Sequence, residues 1–318
     1  MNTTLPLSSS SAEHFIRPHV NYNRRIRSNG FMLVLMGILT LIAIIPLFWI
    51  IIYVFIKGGQ YINLAFFTQM PFPIGMPGGG VLNAIEGTII LTILSGLFSI
   101  PPGVLAAFYA AYHPNTPIGI AVRFGTDVLS GVPSIVIGIF GYALIVKPEG
   151  HYSALAGGIV LAILMLPIII RTTEEMIKLV PHTLREGSLA LGSPEWKTAV
   201  KVTFPAALNG IITGFMLGIA RASGETAPLL FTALGNDRYE MGRIIQSGIS
   251  NHHSIFTIIG SLINQPVDSL PLTLYKYTQQ PSVERVNQAW AVAVVLMGIV
   301  LLINLAARAW VYSRTSHK

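Results

Sequence analysis

The sequence is 318 residues long, with 52% hydrophobic and only 10% charged residues, whereas an average soluble domain carries about 25% charged residues. Because the apolar residues come in blocks long enough to cross a bilayer, the composition predicts a polytopic helical membrane protein and excludes one large soluble core. The net charge of +7 lies mostly in the two tails and the short loops, which is a topological pattern and gives little support to nucleic-acid binding.

The N-terminal part divides into a polar tail, a first span and a loop. Residues 1–30 are Ser-rich and then basic, which predicts a disordered cytoplasmic tail. The apolar run 31–56 is too long for a signal peptide, and the arginines before it place the N-terminus in the cytoplasm. Residues 57–87 form an external loop, in which the glycines 78–80 lack the lysine that a phosphate-binding P-loop requires. We interpret this loop as a bent interfacial segment.

Five further spans complete an all-α polytopic fold with six transmembrane helices and both termini in the cytoplasm. They are predicted at Thr88–Tyr112, with a break at Pro101-Pro102, and at Gly125–Val146, Ser153–Ile170, Leu208–Phe231 and Gln288–Val311. Between them lie a short cytoplasmic loop at 113–123, a basic cytoplasmic segment at 171–206 and an external loop at 232–287, and residues 313–318 form a cytoplasmic tail.

A metal centre is not predicted. The sequence contains no cysteine, and the adjacent His252 and His253 would point in different directions with no further ligands nearby. Asp127 and Arg171 lie at span ends, where such residues more often cap or snorkel than bind a ligand.

The polar stretch Arg185–Pro205 is the most informative feature of the chain. It predicts a short helix over Leu184–Leu191, a break at Gly192 and a second helix that Pro205 closes. Its spacing resembles the EAA signature of ABC-importer permeases: a Glu-small-small triplet, three residues, a glycine, nine residues and then Ile-x-Leu-Pro. The matching residues are Glu186, Gly187, Ser188, Gly192, Val202, Phe204 and Pro205. The small residues are not alanines and the terminal aliphatics are substituted, but every distance is kept.

The resemblance implies that this segment docks into a cleft of a separate ATPase subunit. The alternative is an ordinary cytoplasmic loop with a capped helix. We favour docking, because the helix-capping pattern and the motif spacing agree.

The fifth predicted span combines a small-residue ridge with two charges. Gly210, Gly214, Gly218 and Ala222 recur at every fourth position, which permits close approach of another helix, in this chain or in a second subunit. Arg221 and Glu225 are also four residues apart, so they can pair, and we expect them on the side of the ridge. Arg221 could face the translocation route of an oxyanion with Glu225 holding its guanidinium in place; equally, the pair could be a structural lock.

Four longer stretches carry a second, narrower resemblance. These are GGGVLNAIEGT at 78–88, GVPSIVIGIFGY at 131–142, GIARASGETAPLLFTA at 218–233 and NLAARAW at 304–310. They are similar to the A-type permease subunits of bacterial phosphate-specific (Pst) ABC importers, from Phe66 to the C-terminal tail.

This resemblance implies a type I ABC importer permease fold, with residues 88–312 as its transmembrane type-1 domain, in the bacterial inner membrane. The implied partners are a homologous second permease subunit, a dimeric ABC ATPase that binds ATP and Mg²⁺, an external phosphate-binding protein, inorganic phosphate and the bilayer. The chain itself would hold no cofactor and catalyse no reaction.

Other functions remain as alternatives. Sulfate-, molybdate- and phosphonate-type importers share the docking signature, and an ion-coupled carrier or channel has no use for the cytoplasmic double helix. An intramembrane hydrolase is disfavoured, because no predicted span contains a histidine that could act as base.

Overall fold

The computed structural model describes residues 22–76 and 78–315, which form helices joined by loops with one isolated β-bridge between Leu234 and Val267. The longer helices are α1 (Tyr22–Gly58), α3 (Leu82–Tyr112), α4 (Pro117–Gly131), α7 (Ala154–Lys178), α10 (Phe204–Gly224) and α15 (Val283–Thr315). The shorter ones are α2 (Leu64–Thr68), α5 (Ser134–Gly141), α6 (Lys147–Glu149), α8 (His182–Ala190), α9 (Glu195–Thr198), α11 (Ala227–Thr232), α12 (Met241–Ser250), α13 (Ile255–Ile263) and α14 (Leu270–Thr278). A 3₁₀ turn at Gly59–Tyr61 and π-helical turns at Tyr142–Val146 and Ala199–Thr203 connect some of them.

The described residues contain five helical stretches long and apolar enough to cross a membrane, and a sixth candidate is a helix pair bent by 102°. The predicted all-α, multi-span class is therefore confirmed. The bent pair is α4 and α5, so one continuous span over Gly125–Val146 is wrong. Val132, which precedes Pro133, is extended with φ −76° and ψ 128°, as a residue before proline prefers.

The start of α4 also corrects the predicted cytoplasmic loop at 113–123. Thr116 accepts a hydrogen bond from Gly119 N at 3.2 Å, and Pro117 follows in the first helical turn. This Thr-Pro pair is a helix-start signal, and it places the second half of the predicted loop in α4.

Three other boundaries differ from the prediction. The helix α1 begins at Tyr22, so the predicted disordered tail is wrong for residues 22–30, while residues 1–21 lie outside the described part. The helix α3 runs unbroken through Pro101-Pro102; prolines are tolerated inside membrane helices that pack on neighbours, and Gly103 beside them lies against Ile169 of α7. The fifth span is broken instead, since α10 ends at Gly224 and α11 begins only at Ala227.

Close approach of α3, α7 and α10 forms the core of the unit that begins at Val54; residues up to Tyr53 belong to a separate unit. Val160, Met165 and Ile169 of α7 are fully buried there. A Cβ atom added to Gly158 would come within 2.5 Å of Leu94 Cβ. Small residues therefore set the spacing of these helices, as is usual where helices pack within a bilayer.

The first turns of α3 anchor the segment that follows α11. Asn83 donates to Asn236 O at 3.1 Å, Glu86 accepts from Met241 N at 2.7 Å, and Thr88 Oγ1 accepts from Leu270 N at 2.9 Å. The other end of α3, at Tyr112, contacts the residues before α10. The two stretches 179–203 and 225–282, called layers below, thus contact opposite ends of α3.

The glycine run of the predicted external loop is held by the last helix. Gln288 donates to Gly78 O at 2.8 Å, and the buried Arg285 donates to Phe72 O and to Gln288 Oε1. Gly79 has φ +82°, and a Cβ atom there would lie 2.6 Å from Phe72 N. The glycines therefore serve a tight backbone fold.

Candidate docking segment and charged pair

The stretch between α7 and α10 contains two short helices separated by a left-handed glycine. Gly192 has φ +80°, a conformation that glycine adopts without steric cost, and its N–H donates to Leu189 O at 2.9 Å. The predicted order of helix, glycine break and helix is confirmed, with α8 at His182–Ala190 and α9 starting at Glu195.

Side chains tie the two short helices together. The hydroxyls of Ser188 and Thr198 are 2.9 Å apart, and Arg185 lies 3.7 Å from Glu195 as a partly exposed ion pair. A partly exposed pair of this kind contributes about 0–1 kcal/mol, whereas the hydroxyl contact is partly shielded from water, with Thr198 buried and Ser188 half-buried.

Pro205 does not close the segment, contrary to the prediction. The chain stays helical from Glu195 through the π-helical turn into α10, and Pro205 occupies the first turn of α10. Pro205 is thus inside a continuous helical stretch, and it follows a π-helical turn, where the regular hydrogen-bond pattern of the helix is already interrupted.

The residues of the docking signature separate into exposed and packed positions. Glu186, Gly187 and Pro205 are exposed, whereas Val202 and Phe204 are half-buried. The Phe204 ring lies 6.0 Å from the ring of Phe108 in α3. The second half of the signature therefore holds the segment onto the spans, and the first half faces outward.

The small-residue ridge packs against α7 of the same chain. A Cβ atom added to Gly210 would lie 2.1 Å from Met176 Sδ, and one added to Gly214 would lie 2.1 Å from Thr172 Oγ1. Gly218 faces Met165 at 3.2 Å in the same way, and Ala222 is 2% exposed. Of the two possible partners for the ridge, an internal helix is the one observed.

Arg221 and Glu225 form the expected pair, with Nε and Oε1 3.4 Å apart. The Arg221 side chain is 53% exposed, so the expectation that it lies on the packed side of the ridge is wrong, whereas the Glu225 side chain is only 17% exposed. Arg221 precedes Ala222 by one residue, which is about 100° around a helix. Arg221 also lies in the last turn of α10, where the helix dipole favours a cation.

The pair lies where the fifth span breaks, and the broken third span packs nearby. A Cβ atom added to Gly138 of α5 would lie 2.6 Å from Pro228 Cα of α11, and one added to Gly141 would lie 3.1 Å from Thr232 Cγ2. Two interrupted spans therefore meet directly after Glu225.

Comparison with known proteins places this architecture in a family. The family model described as "Binding-protein-dependent transport system inner membrane component" matches residues 103–314, about two thirds of the chain. The chain belongs to this family.

Relatives within the family share a narrower name. "Phosphate transport system permease protein PstA" of Yersinia pestis is 37% identical over 92% of this chain and 92% of its own. The protein of that name from Xylella fastidiosa (strain Temecula1) is 40% identical over 80% of this chain and 82% of its own. This chain is therefore similar to PstA permeases over most of its length, and the predicted resemblance is confirmed.

Solved structures support the type I importer fold. A chain of the MetNI methionine ABC transporter superposes with a TM-score of 0.54 at 19% identity, covering 73% of this chain and 95% of that one. A chain of a bacterial alginate ABC transporter gives 0.55 at 15% identity, covering 90% and 96%. At these identities the likeness concerns the fold alone.

The sequence did not predict two exposed apolar side chains in the docking segment. Leu191 is 88% exposed and Trp196 is 69% exposed, and both lie in the docking segment between charged residues. A tryptophan in a polar, charged stretch was the available signal, because aromatic residues are enriched at protein interfaces.

Asp127 and Arg171, for which capping or snorkelling is predicted, form an exposed ion pair with each other. They border a cavity of about 160 Å³ next to a second ionic cluster. In that cluster Arg123 donates to Glu174 Oε1 at 2.7 Å and to Ala110 O at 2.9 Å. These contacts join α4 to α7 and to the end of α3.

Proposed function

We propose that the chain is the permease subunit of an ATP-driven inorganic phosphate importer. The observation that carries this is the match to PstA permeases over nearly the whole of both chains. The subunit forms half of the translocation pathway, beside a homologous second permease, and receives phosphate from an external binding protein.

The docking segment 182–205 is the proposed contact with a dimeric ATPase. Glu186, Leu191 and Trp196 are exposed on it, at the end of α3 opposite to the layer 225–282. Because the sequence has no P-loop, ATP and Mg²⁺ bind to the partner ATPase, and hydrolysis takes place there. The chain itself acts as a transporter subunit and not as an enzyme.

The exposed guanidinium of Arg221 is the proposed contact of the permease with its anion. A planar fork of N–H donors matches a tetrahedral oxyanion, and the ion pair with Glu225 holds the guanidinium near that carboxylate. A purely structural lock is the second candidate, favoured by the place of Arg221 in the last turn of α10.

The test is reconstitution of the complete complex in liposomes with its binding protein. We expect ATP hydrolysis stimulated by phosphate, and uptake of labelled phosphate that requires ATP. Equal or greater stimulation by sulfate, molybdate or a phosphonate would assign another oxyanion. Uptake that follows a proton gradient without ATP would show a carrier instead.

A further inference from the structure

A small cavity where α3, α7 and α8 meet is lined by basic and hydroxyl side chains. Its volume is about 110 Å³, whereas one water molecule in the liquid occupies about 30 Å³. The polar side chains that border it are Tyr112, Lys178, His182, Arg185 and Thr203. No carboxylate of the described residues is among its lining groups. The cavity therefore has room for a small ion, and the positive charge of its lining favours an anion.

The neighbouring cavity between α4 and α7 has a different charge balance. It is bordered by three basic and three acidic side chains, so the charges of its lining cancel. The two cavities share Lys178, whose ammonium lies 2.6 Å from Glu174 Oε1. Arg123 donates to the same oxygen at 2.7 Å, so this triad has two cations for one carboxylate. Because Lys178 also borders the smaller cavity, part of the excess positive charge lies there.

Arg185 is held by its flat face, which leaves its N–H donors available. Its guanidinium carbon lies 3.8 Å from the centre of the Tyr112 ring, which is the geometry of a cation–π contact. The carboxylate of Glu195 lies 3.7 Å away, too far for a direct hydrogen bond. A guanidinium stacked in this way keeps its N–H groups in its own plane, and such a planar fork matches two oxygen atoms of a phosphate group.

Two further sources of hydrogen-bond donors border the cavity. The hydroxyls of Tyr112 and Thr203 are 2.6 Å apart, and one hydrogen bond between two hydroxyls uses only one of their two protons. Thr203 is only 3% exposed, so water has little access to this pair. His182 is the first residue of α8, a nine-residue helix whose N-cap, Pro181, provides no capping side chain. The first N–H groups of such a helix have no partner within it, and its dipole favours an anion.

We propose that this cavity binds a phosphate group, held by Arg185 and Lys178 with a hydroxyl of the Tyr112–Thr203 pair as a further donor. Two sources carry this chemistry: inorganic phosphate in solution and the headgroup of an anionic phospholipid. The site is separate from Arg221, which lies 18 residues or about 27 Å along the helix from Thr203. Because the docking segment faces the ATPase, the cavity opens on the side where imported phosphate is released. In this last respect alone the inference rests on the proposed function.

Protection of a single cysteine tests the site directly. Because the sequence has no cysteine, Ala111→Cys places one thiol on the cavity wall. The complex, purified in detergent without its binding protein, is treated with a small thiol reagent, and mass spectrometry measures the labelling of this chain. We expect inorganic phosphate to slow the labelling, and chloride at the same ionic strength to leave it unchanged.

A second arm separates the two sources. The same variant is labelled without inorganic phosphate in nanodiscs of phosphatidylcholine, with and without phosphatidylglycerol. Slower labelling with phosphatidylglycerol would assign the site to a lipid headgroup, and slower labelling with inorganic phosphate alone would assign it to the free ion. A labelling rate that responds to neither source would overturn the inference, and so would equal slowing by chloride.

Substitution of Arg185 tests the geometry of the site. In the Ala111→Cys background, Arg185→Gln removes hydrogen bonds to a charged ligand, so the phosphate concentration for half-maximal protection should rise about tenfold or more. Arg185→Lys keeps the charge and should lose less. The matched control is Lys197→Gln, which removes one exposed positive charge from α9 without touching the cavity lining, and it should leave protection unchanged.

Full protection of the Arg185→Gln variant would contradict the assignment of this residue. If this variant does not assemble, the comparison of phosphate, chloride and lipid in Ala111→Cys decides. An active importer without protection would refute this site alone. A complex that phosphate protects, but that neither hydrolyses ATP nor takes up phosphate, would instead refute the proposed function.

Discussion

Lys276 donates from Nζ to Asp268 Oδ2 at 2.5 Å, and the Asp268 side chain has no exposed surface. The same ammonium lies 2.8 Å from Asp237. Burial lowers the pKa of Lys276, but the attraction and hydrogen bonds of the two carboxylates outweigh it and raise that pKa above its ordinary value. One ammonium thus joins α14 to two separate parts of the layer 225–282.

Removal of this ammonium should destabilise the permease strongly. Lys276→Met leaves Asp268 buried without its cation, and breaking a buried pair costs about 3–5 kcal/mol. The measurement is the thermal unfolding of the purified complex in detergent. The double variant Lys276→Met/Asp268→Leu should recover much of the loss, because it leaves no buried charge; a double variant no better than the single one would contradict this.

The contribution of Lys276 should disappear at alkaline pH. A raised folded-state pKa gives stability that is complete below the ordinary value of 10.5 and is lost as the pH rises through the folded value. Burial raises the pKa of Tyr277 from 10.0 to about 12 and adds a loss in the same direction between those values. Melting temperatures of wild type and the single variant Lys276→Met, measured from pH 8 to about pH 11, should draw closer towards the alkaline end, because the wild type then also loses the cation beside Asp268. A difference in melting temperature that stays constant over this pH range would contradict the role of the ammonium. The same measurement on Tyr277→Phe shows how much of the alkaline loss is due to the tyrosine.

A methyl group on the ridge should separate α10 from α7. Gly214→Ala places a Cβ atom 2.1 Å from Thr172 Oγ1, and overpacking of this kind costs about 1–3 kcal/mol. The matched control is Gly224→Ala at the end of the same helix, because nothing lies within 4 Å of a Cβ atom there. Detergent melting curves should fall for the first variant and not for the second. Thr172→Ala removes the Oγ1 contact but leaves the Cβ atom of residue 172 at 2.8 Å, so it should restore Gly214→Ala in part; no restoration at all would mean that the clash is not the cause.

Trp196→Ala should weaken attachment of the ATPase. Buried aromatic anchors at interfaces are worth about 2 kcal/mol or more, which is about thirtyfold in affinity. Binding of the purified ATPase to the permease in nanodiscs measures the effect. Phe256→Ala is the control, since Phe256 is 85% exposed but lies in α13, in the opposite layer. Equal affinity of wild type and Trp196→Ala would remove this residue from the docking surface.

Arg221→Lys should reduce phosphate uptake while leaving assembly intact. Lysine keeps the positive charge but lacks the planar set of N–H donors of the guanidinium. A hydrogen bond to a charged group contributes about 1.5–3 kcal/mol, and its loss corresponds to a fall in rate of about tenfold or more. Uptake at several phosphate concentrations is the measurement, with ATPase co-purification as the assembly control. Full uptake by a double variant of Arg221→Gln and Glu225→Gln at normal protein levels would leave the pair a purely structural role.

Local rules predicted the features that depend on neighbouring residues. The turn at Gly192 followed from the conformational freedom of glycine, and the ridge from a spacing of four residues. Long-range packing could not be predicted in this way, because Tyr112 and Thr203 meet across 91 positions of sequence. Proline shows the same limit: Pro133 ends a helix, whereas α3 continues through Pro101-Pro102, beside the contact of Gly103 with α7.

The contact of Gly138 with Pro228 has a consequence for biogenesis. Neither half of the third span nor the short helix after Glu225 satisfies all its backbone groups alone, and a bilayer interior offers no water to replace those bonds. The helix α5 therefore enters the membrane before its packing partner, α11, has been synthesised. Integration of this permease is completed only when α5 and α11 pack against each other. The order of translation and the order of final packing therefore differ.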